Sequence, residues 1–130
     1  MYPAIRLTEN QDLKKEIIKY ADEHNIVAGA VLSGVGCLKK INVRTAKALK
    51  CIECEEDYEI VSLMGTISKD GVHLHISLSD EEGVTIGGHL KDGNIINTTC
   101  ELVIIELPNY EFSREFDENT GYDELVIRGK

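Results

Sequence analysis

Residues 71–90 read GVHLHISLSDEEGVTIGGHL. Two stretches alternate with a period of two on either side of a turn, the pattern of a β-hairpin with one face in a core. Val72, Leu74, Ile76 and Leu78 make the apolar set, and His73, His75, Ser77 and Ser79 the polar set. Between the stretches, DEEGV fits a three-residue loop, Glu81-Glu82-Gly83, with the glycine in the left-handed position such loops require. Counting outward from Asp80 opposite Val84 sets Ser77 opposite Gly87 and His75 opposite His89. Directly opposed side chains have Cβ atoms only ~5 Å apart, and His73 lies two residues along on the same face. The count therefore brings together three of the four histidines in the chain.

The preceding SKDGV, residues 68–72, is read by the same rule as a loop Lys69-Asp70-Gly71. It pairs Ser68 with Val72 and Gly65 with His75, so that Gly65 and Gly87 leave open space over the imidazoles. A His-x-His strand with a third histidine across the hairpin can hold zinc through three nitrogens and leave a fourth position for water or substrate. The competing reading is a polar sheet face whose rings bond to Ser77 and to backbone. Spacing alone leaves both open.

One segment is helical. TENQDLKKEIIKYADEHN, residues 8–25, places Leu13, Ile17, Tyr20, Ala21 and His24 at helical spacing, with Thr8 or Asn10 available as N-cap. Nearly everything else alternates as strands, at 3–8, 26–33, 37–44, 46–54, 58–68, 72–79, 84–90 and 95–107, with weaker ones near 110–115 and 123–128. The expectation is one α+β domain over residues 1–130, a largely antiparallel sheet with a helix packed on one side.

The net charge is −9, from 14 basic and 23 acidic residues, and no basic run exceeds two lysines. Affinity for duplex DNA comes mostly from Lys and Arg neutralising phosphates, so DNA binding by this chain alone is not expected. No apolar run approaches the ~20 residues that span a bilayer, and MYPAIRLTEN lacks the pattern of a signal peptide. Cys37, Cys51, Cys54 and Cys100 are too scattered for a disulfide scaffold. No membrane contact and a cytoplasmic location are the expectation. Cys51-x-x-Cys54 lies on a strand, where the sulfurs point to opposite faces, whereas a redox pair sits at a helix N-terminus. SGVG at 33–36 reads as a turn, ECEEDYE at 53–59 as a solvated turn, and His24 as a surface residue near the helix end.

Several ordered segments together resemble one family. They are AGAVLSGVGCLKKINV at 28–43; DYEIVSLMGTI at 57–67; the 71–90 hairpin; CELVIIEL at 100–107; and Phe112, Arg114 and Asp117 in the tail. The second is similar to the family's Phe-Glu-Ile-Leu-Ser-Leu-Ser-Gly segment, with Tyr58 for Phe, Val61 for Leu and Met64 for Ser. By these segments the chain resembles the plants-and-prokaryotes-conserved (PPC) domain over almost its whole length. The resemblance implies a compact α+β protomer that forms a homotrimer and serves assembly and contact with a protein partner. Plant members add AT-hook segments that grip DNA. The bare prokaryotic members are commonly labelled predicted DNA-binding proteins, and this chain has no AT-hook.

The fold is also similar to that of alpha-acetolactate decarboxylase, a zinc enzyme with a three-histidine site. Two functions follow as expectations. One is a trimeric regulatory or binding module with a divalent metal, zinc, on His73, His75 and His89. The other is a metal-dependent lyase or hydrolase acting on a small anionic substrate. Such an enzyme needs an acid/base group and a cation near the metal, for which Glu59 and Arg114 are the candidates, with Gly65 and Gly87 at the edges of the site.

Overall fold

A computed structural model describes residues 1–130. Strand β1 (Ala4–Thr8) leads into helix α1 (Leu13–Glu23) and then the long strand β2 (Ala28–Arg44). A 3-10 turn at Ala46–Ala48 precedes β3 (Cys51–Cys54), β4 (Tyr58–Ser68), β5 (Gly71–Ser79) and β6 (Thr85–Leu90). β7 (Ile95–Glu106), β8 (Tyr110–Asp117) and β9 (Tyr122–Gly129) complete the chain. Seven strands form one sheet in the order β1-β7-β2-β4-β5-β6, with β3 on β2, while β8 and β9 pair only with each other. Every pairing is antiparallel. The α+β class follows as expected.

β2 is the hub, and it corrects the expected strand list. The strands placed at 26–33 and 37–44 are one continuous element, and SGVG does not turn. Register shifts against β7 after Val31, Gly36 and Leu38 bend the strand instead of ending it. Gly36 permits the close approach, because a Cβ there would run into the Thr99 carbonyl oxygen. The bent strand reaches β4 through residues 28–38 and β6 through Val43–Leu90 and Arg44–His89. β2, β4, β5 and β6 thus close into a ring.

Inside lies a core of 20 buried residues that includes Leu13, Ile17 and Ala21 of the helix. This burial of one helix stripe explains why so short a helix forms at all, since 11 residues alone are marginal in water. The N-cap is Asp12, not Thr8 or Asn10; Asn10 sits at φ 76°, outside the cap geometry. Asp12 Oδ1 accepts the Lys15 N–H at 3.2 Å and Oδ2 the Gly93 N–H at 2.8 Å, which ties the helix start to the β6–β7 loop. His24 follows the helix as expected, its Nδ1 2.9 Å from the Tyr20 carbonyl and its ring stacked on Tyr20. All four cysteines are free, with Cys51 exposed and Cys54 packed toward the core, as strand alternation requires.

The same loop is held by a buried asparagine. Asn94 Oδ1 accepts the Asn42 N–H at 2.9 Å, and Nδ2 donates to the Asn42 and Lys91 carbonyls, each at 2.8 Å. Replacing Asn94 by Ala strands the Asn42 N–H without a partner beside the ring closure. A loss of about 2–4 kcal/mol is expected in urea unfolding, since each buried group left unsatisfied costs about 1–3 kcal/mol. A loss below about 1 kcal/mol, the net worth of one ordinary hydrogen bond, would mean that water replaces the side chain without penalty.

Candidate metal centre

β5 alternates as its sequence requires: Leu74, Ile76 and Leu78 are buried, and His73 and His75 project from the other face. The β5–β6 loop closes as counted, with Asp80 N–H donating to the Val84 carbonyl at 3.0 Å and Gly83 at φ 81°. His75 therefore stands opposite His89 and Ser77 opposite Gly87. The ring centroids of His73, His75 and His89 are 5.0, 5.2 and 5.8 Å apart.

The β4–β5 loop differs from expectation. It is a two-residue turn, Lys69-Asp70, so Ser68 pairs with Gly71, Gly65 with Leu74, and Met64 with His75. Ser68 closes it locally: its Oγ donates to the Gly71 carbonyl at 3.0 Å and accepts the Asp70 N–H at 3.2 Å. The slip changes what flanks the cluster but leaves the cluster itself intact, because the facing of the rings is set by β5 and β6. Gly65 does not stand across from His75. It lies instead where a Cβ would run into the His73 carbonyl oxygen.

One ligand atom from each of the three rings lies within 4.8 Å of the others. Around a tetrahedral ion with bonds near 2.0–2.1 Å, nitrogens sit about 3.3 Å apart. Small rotations of the partly exposed rings cover the difference. In the polar-face reading the rings bond to Ser77 and to backbone, but Ser77 Oγ is 2.7 Å from Ser62 Oγ and none of the three rings bonds to backbone. The only hydrogen bond made by a histidine ring is that of His24. The cluster is a set of three borderline-soft nitrogen donors without intrachain partners, which fits a divalent transition ion.

A single cross-strand row runs Met64, His75, His89, Arg44 over β4, β5, β6 and β2. Arg44 thereby reaches His89 through the ring closure. A cavity of about 750 Å³ opens beside His73 and His89, lined also by Lys14, Arg44, Asp70 and Arg114. A second, of about 520 Å³, touches all three histidines together with Gly87 and Arg44. Partial burial lowers the His73 pKa although the side chain is largely open to solvent, and Arg114 and His75 lower it further. Burial, then Arg44 and His73, push His89 down to about 4. Both rings stay neutral, hence able to ligate, below the ordinary histidine range near ~6.5.

Arg114 lines the larger cavity and Gly87 the smaller one. Arg114 is fixed there by its N–H to Asp70 Oδ2 at 2.9 Å and by its guanidinium to Thr66 Oγ1 at 3.2 Å. Glu59 is not at the site. It pairs with Cys37 and Ser79, and Ser79 is four residues from His75, about 13 Å along an extended strand. Lys14 and Arg44 had no signal in the sequence, and neither had the β9 residues Tyr122, Asp123 and Glu124 that complete the larger cavity.

Over residues 3–108 the chain matches the Plants and Prokaryotes Conserved (PCC) domain. Two curated relatives are bifunctional GlmU proteins of Synechococcus sp., from strains JA-3-3Ab and JA-2-3B'a(2-13). They are 43% and 44% identical to this chain over 98% of its length. The chain spans only 20% of the length of each. A solved protein of Salmonella enterica is 34% identical, with a TM-score of 0.96 over 100% of this chain and 94% of that one. A metal-containing protein from Archaeoglobus fulgidus is 27% identical, with a TM-score of 0.80 over 97% and 93% of the two chains. The match across the sheet, the helix and the histidine hairpin carries one conclusion: this chain belongs to the Plants and Prokaryotes Conserved domain family.

Proposed function

We propose that the protein is a homotrimeric PCC-domain module that holds one divalent ion, zinc, per protomer on His73, His75 and His89. The observation that carries this reading is the convergence of three imidazoles, within 4.8 Å and with no hydrogen-bond partner in the chain. The metal-containing Archaeoglobus relative supports it. Three nitrogen donors suit zinc, and nickel, cobalt and copper compete for the same set. When bound there, the ion would supply a Lewis acid with an open coordination position.

Leu32, Val61, Met64 and Val103 are large apolar side chains exposed on the main sheet, and Phe116 and Ile127 are exposed on the β8–β9 hairpin. A second copy is the occupant that the family resemblance supports for these surfaces. The relatives in which the domain makes up 20% of a longer chain support a portable module that works beside another protein. No helix is long and apolar enough to cross a membrane, and the four free thiols accord with a cytoplasmic location. With a net charge of −9, DNA contact is left to partners.

The alternative is a metal-dependent lyase or hydrolase acting on a small anion. It is favoured by the cations Lys14, Arg44 and Arg114 that line the cavity at His73 and His89. Its acid/base group would come from Tyr122, Asp123 or Glu124, since Glu59 is out of reach.

Light scattering with parallel metal analysis tests the proposal. The expected result is about three times the 14.5 kDa chain mass, one zinc per chain, and no shift of a random duplex at near-physiological salt. A monomer would remove the assembly reading, and protein that stays metal-free after zinc incubation would remove the metal reading. Tight duplex binding would reveal a basic surface created by assembly.

A further inference from the structure

The chain carries 23 acidic and 14 basic residues, so its cations have carboxylates to spare as partners. Its three ion pairs are Lys39–Glu9, Lys69–Glu111 and Arg128–Glu115, all away from the histidine cluster. Lys14, Arg44 and Arg114 are in none of them, yet all three line the cavity of about 750 Å³ at His73 and His89. They arrive from a helix, the end of β2 and the separate hairpin, so no single local element explains their convergence. Asp70 accepts the Arg114 backbone N–H but makes no ion pair with its guanidinium. Asp123 and Glu124 also line the cavity, but neither lies within ion-pair distance of the three cations.

Cations held unpaired beside three metal-ligating nitrogens repel the ion that the nitrogens would take. Three cations outside any salt bridge leave donors free for an anion that enters the cavity. The planar guanidinium matches carboxylate and phosphate through two parallel hydrogen bonds. A volume of about 750 Å³ lies within the range of sites for small organic ligands and is far larger than one phosphate needs.

We propose that this cavity binds a small organic anion with two separated acidic groups, one directed to the metal and the other to Arg44 and Arg114, with Lys14 at the rim. The proposal rests on the three-histidine metal reading. The ligand is then a charge bridge between the ion and the guanidinium groups, and Arg44 sets its length because it is adjacent to His89 in the cross-strand row.

The experiment is calorimetric titration of zinc-loaded full-length protein with succinate, acetate and inorganic phosphate, with zinc content measured on every sample. Succinate is expected to bind at least tenfold more tightly than acetate or phosphate. Arg44→Gln should weaken succinate tenfold or more and leave acetate within twofold, with one zinc per chain retained. Lys14→Gln, on the helix and away from the ring closure, is a second variant that should weaken succinate severalfold should Arg44→Gln disturb that closure. Equal affinity for the three anions, or succinate binding untouched in both variants, overturns the proposal while the zinc content still upholds the metal site. Wild-type protein that takes up no zinc overturns the metal reading, and this proposal with it.

Discussion

His75→Ala is expected to leave the purified protein without stoichiometric zinc while its circular dichroism and unfolding midpoint stay near those of the metal-free parent. The ring projects from the face opposite Leu74 and Ile76, so its removal opens no cavity in the core. What it removes is one of three nitrogens. The affinity loss should exceed the roughly 10–100-fold that follows from losing an outer partner of a ligand. A competition assay with a chromophoric chelator reads this directly. Near-parental affinity in His75→Ala would show that the ion, if any, sits elsewhere.

The pH dependence of the same assay has a definite sign. Zinc needs neutral imidazole, and protons compete only as each ring approaches its own pKa. His89 is held down to about 4 and His73 is lowered as well, first by burial in each case. Protons at these two rings should therefore compete with zinc only below ~6.5, where free histidines would already be charging, and acidification should release the ion. The metal-free protein shares the same direction. A lowered folded pKa contributes stability above the unfolded value that is lost as pH falls toward the folded one. Titration of the His89 or His73 ring at or above 6.5, read by NMR of the metal-free protein, would contradict the environment assigned to them.

Gly65→Ala is the second large effect, expected to cost about 3 kcal/mol or more, in the range reserved for strained or overpacked backbone sites. Two causes add. The residue lies at φ +156°, and a Cβ there would run into the His73 carbonyl oxygen and crowd Leu74 Cα at 2.8 Å. Neither neighbour is a flexible side chain that could swing away. Gly71 separates the causes, since it lies at φ +121° with nothing within 4 Å of an added Cβ. Gly71→Ala should show only the backbone part, about 1–3 kcal/mol. Because the clash displaces the His73 peptide, Gly65→Ala should also weaken zinc, whereas Gly71→Ala should not. Equal destabilisation by the two substitutions would show that the contact with His73 contributes nothing.

How far the sequence reached depended on how local each pairing is. The hairpin from Gly71 to Leu90 carries its own register in one loop, so the meeting of His75 and His89 could be counted from Gly83. The neighbouring turn could not be counted so well, because Asp70-Gly71 fits two loop lengths and the hydroxyl of Ser68 selects the shorter. Glu59 failed for a simpler reason. It occupies the far end of β4 opposite Ser79, four residues from His75, and no one-residue change of register brings it to the rings. Arg44 was out of sight because it reaches His89 only when a 17-residue strand bends enough to pair at both ends. The glycines of SGVG, which signal turns in isolation, here serve the packing of that bend. Arg114 was found by family likeness, and its place at the cavity is held by Asp70 and Thr66, both distant in the chain.

The ring of strands has one weak seam. β6 joins β2 through two residue pairs, against nine recorded between β4 and β5. Local openings begin where few backbone bonds must break together. The seam runs between His89 and Arg44, so a zinc ion held by β5 and β6 would leave it free to breathe. An anion spanning zinc and Arg44 would cross it like a stitch. In that arrangement ligand capture and closure of the barrel are one event, and occupancy of the cavity would be felt along β2 as a change in how often the two strands part.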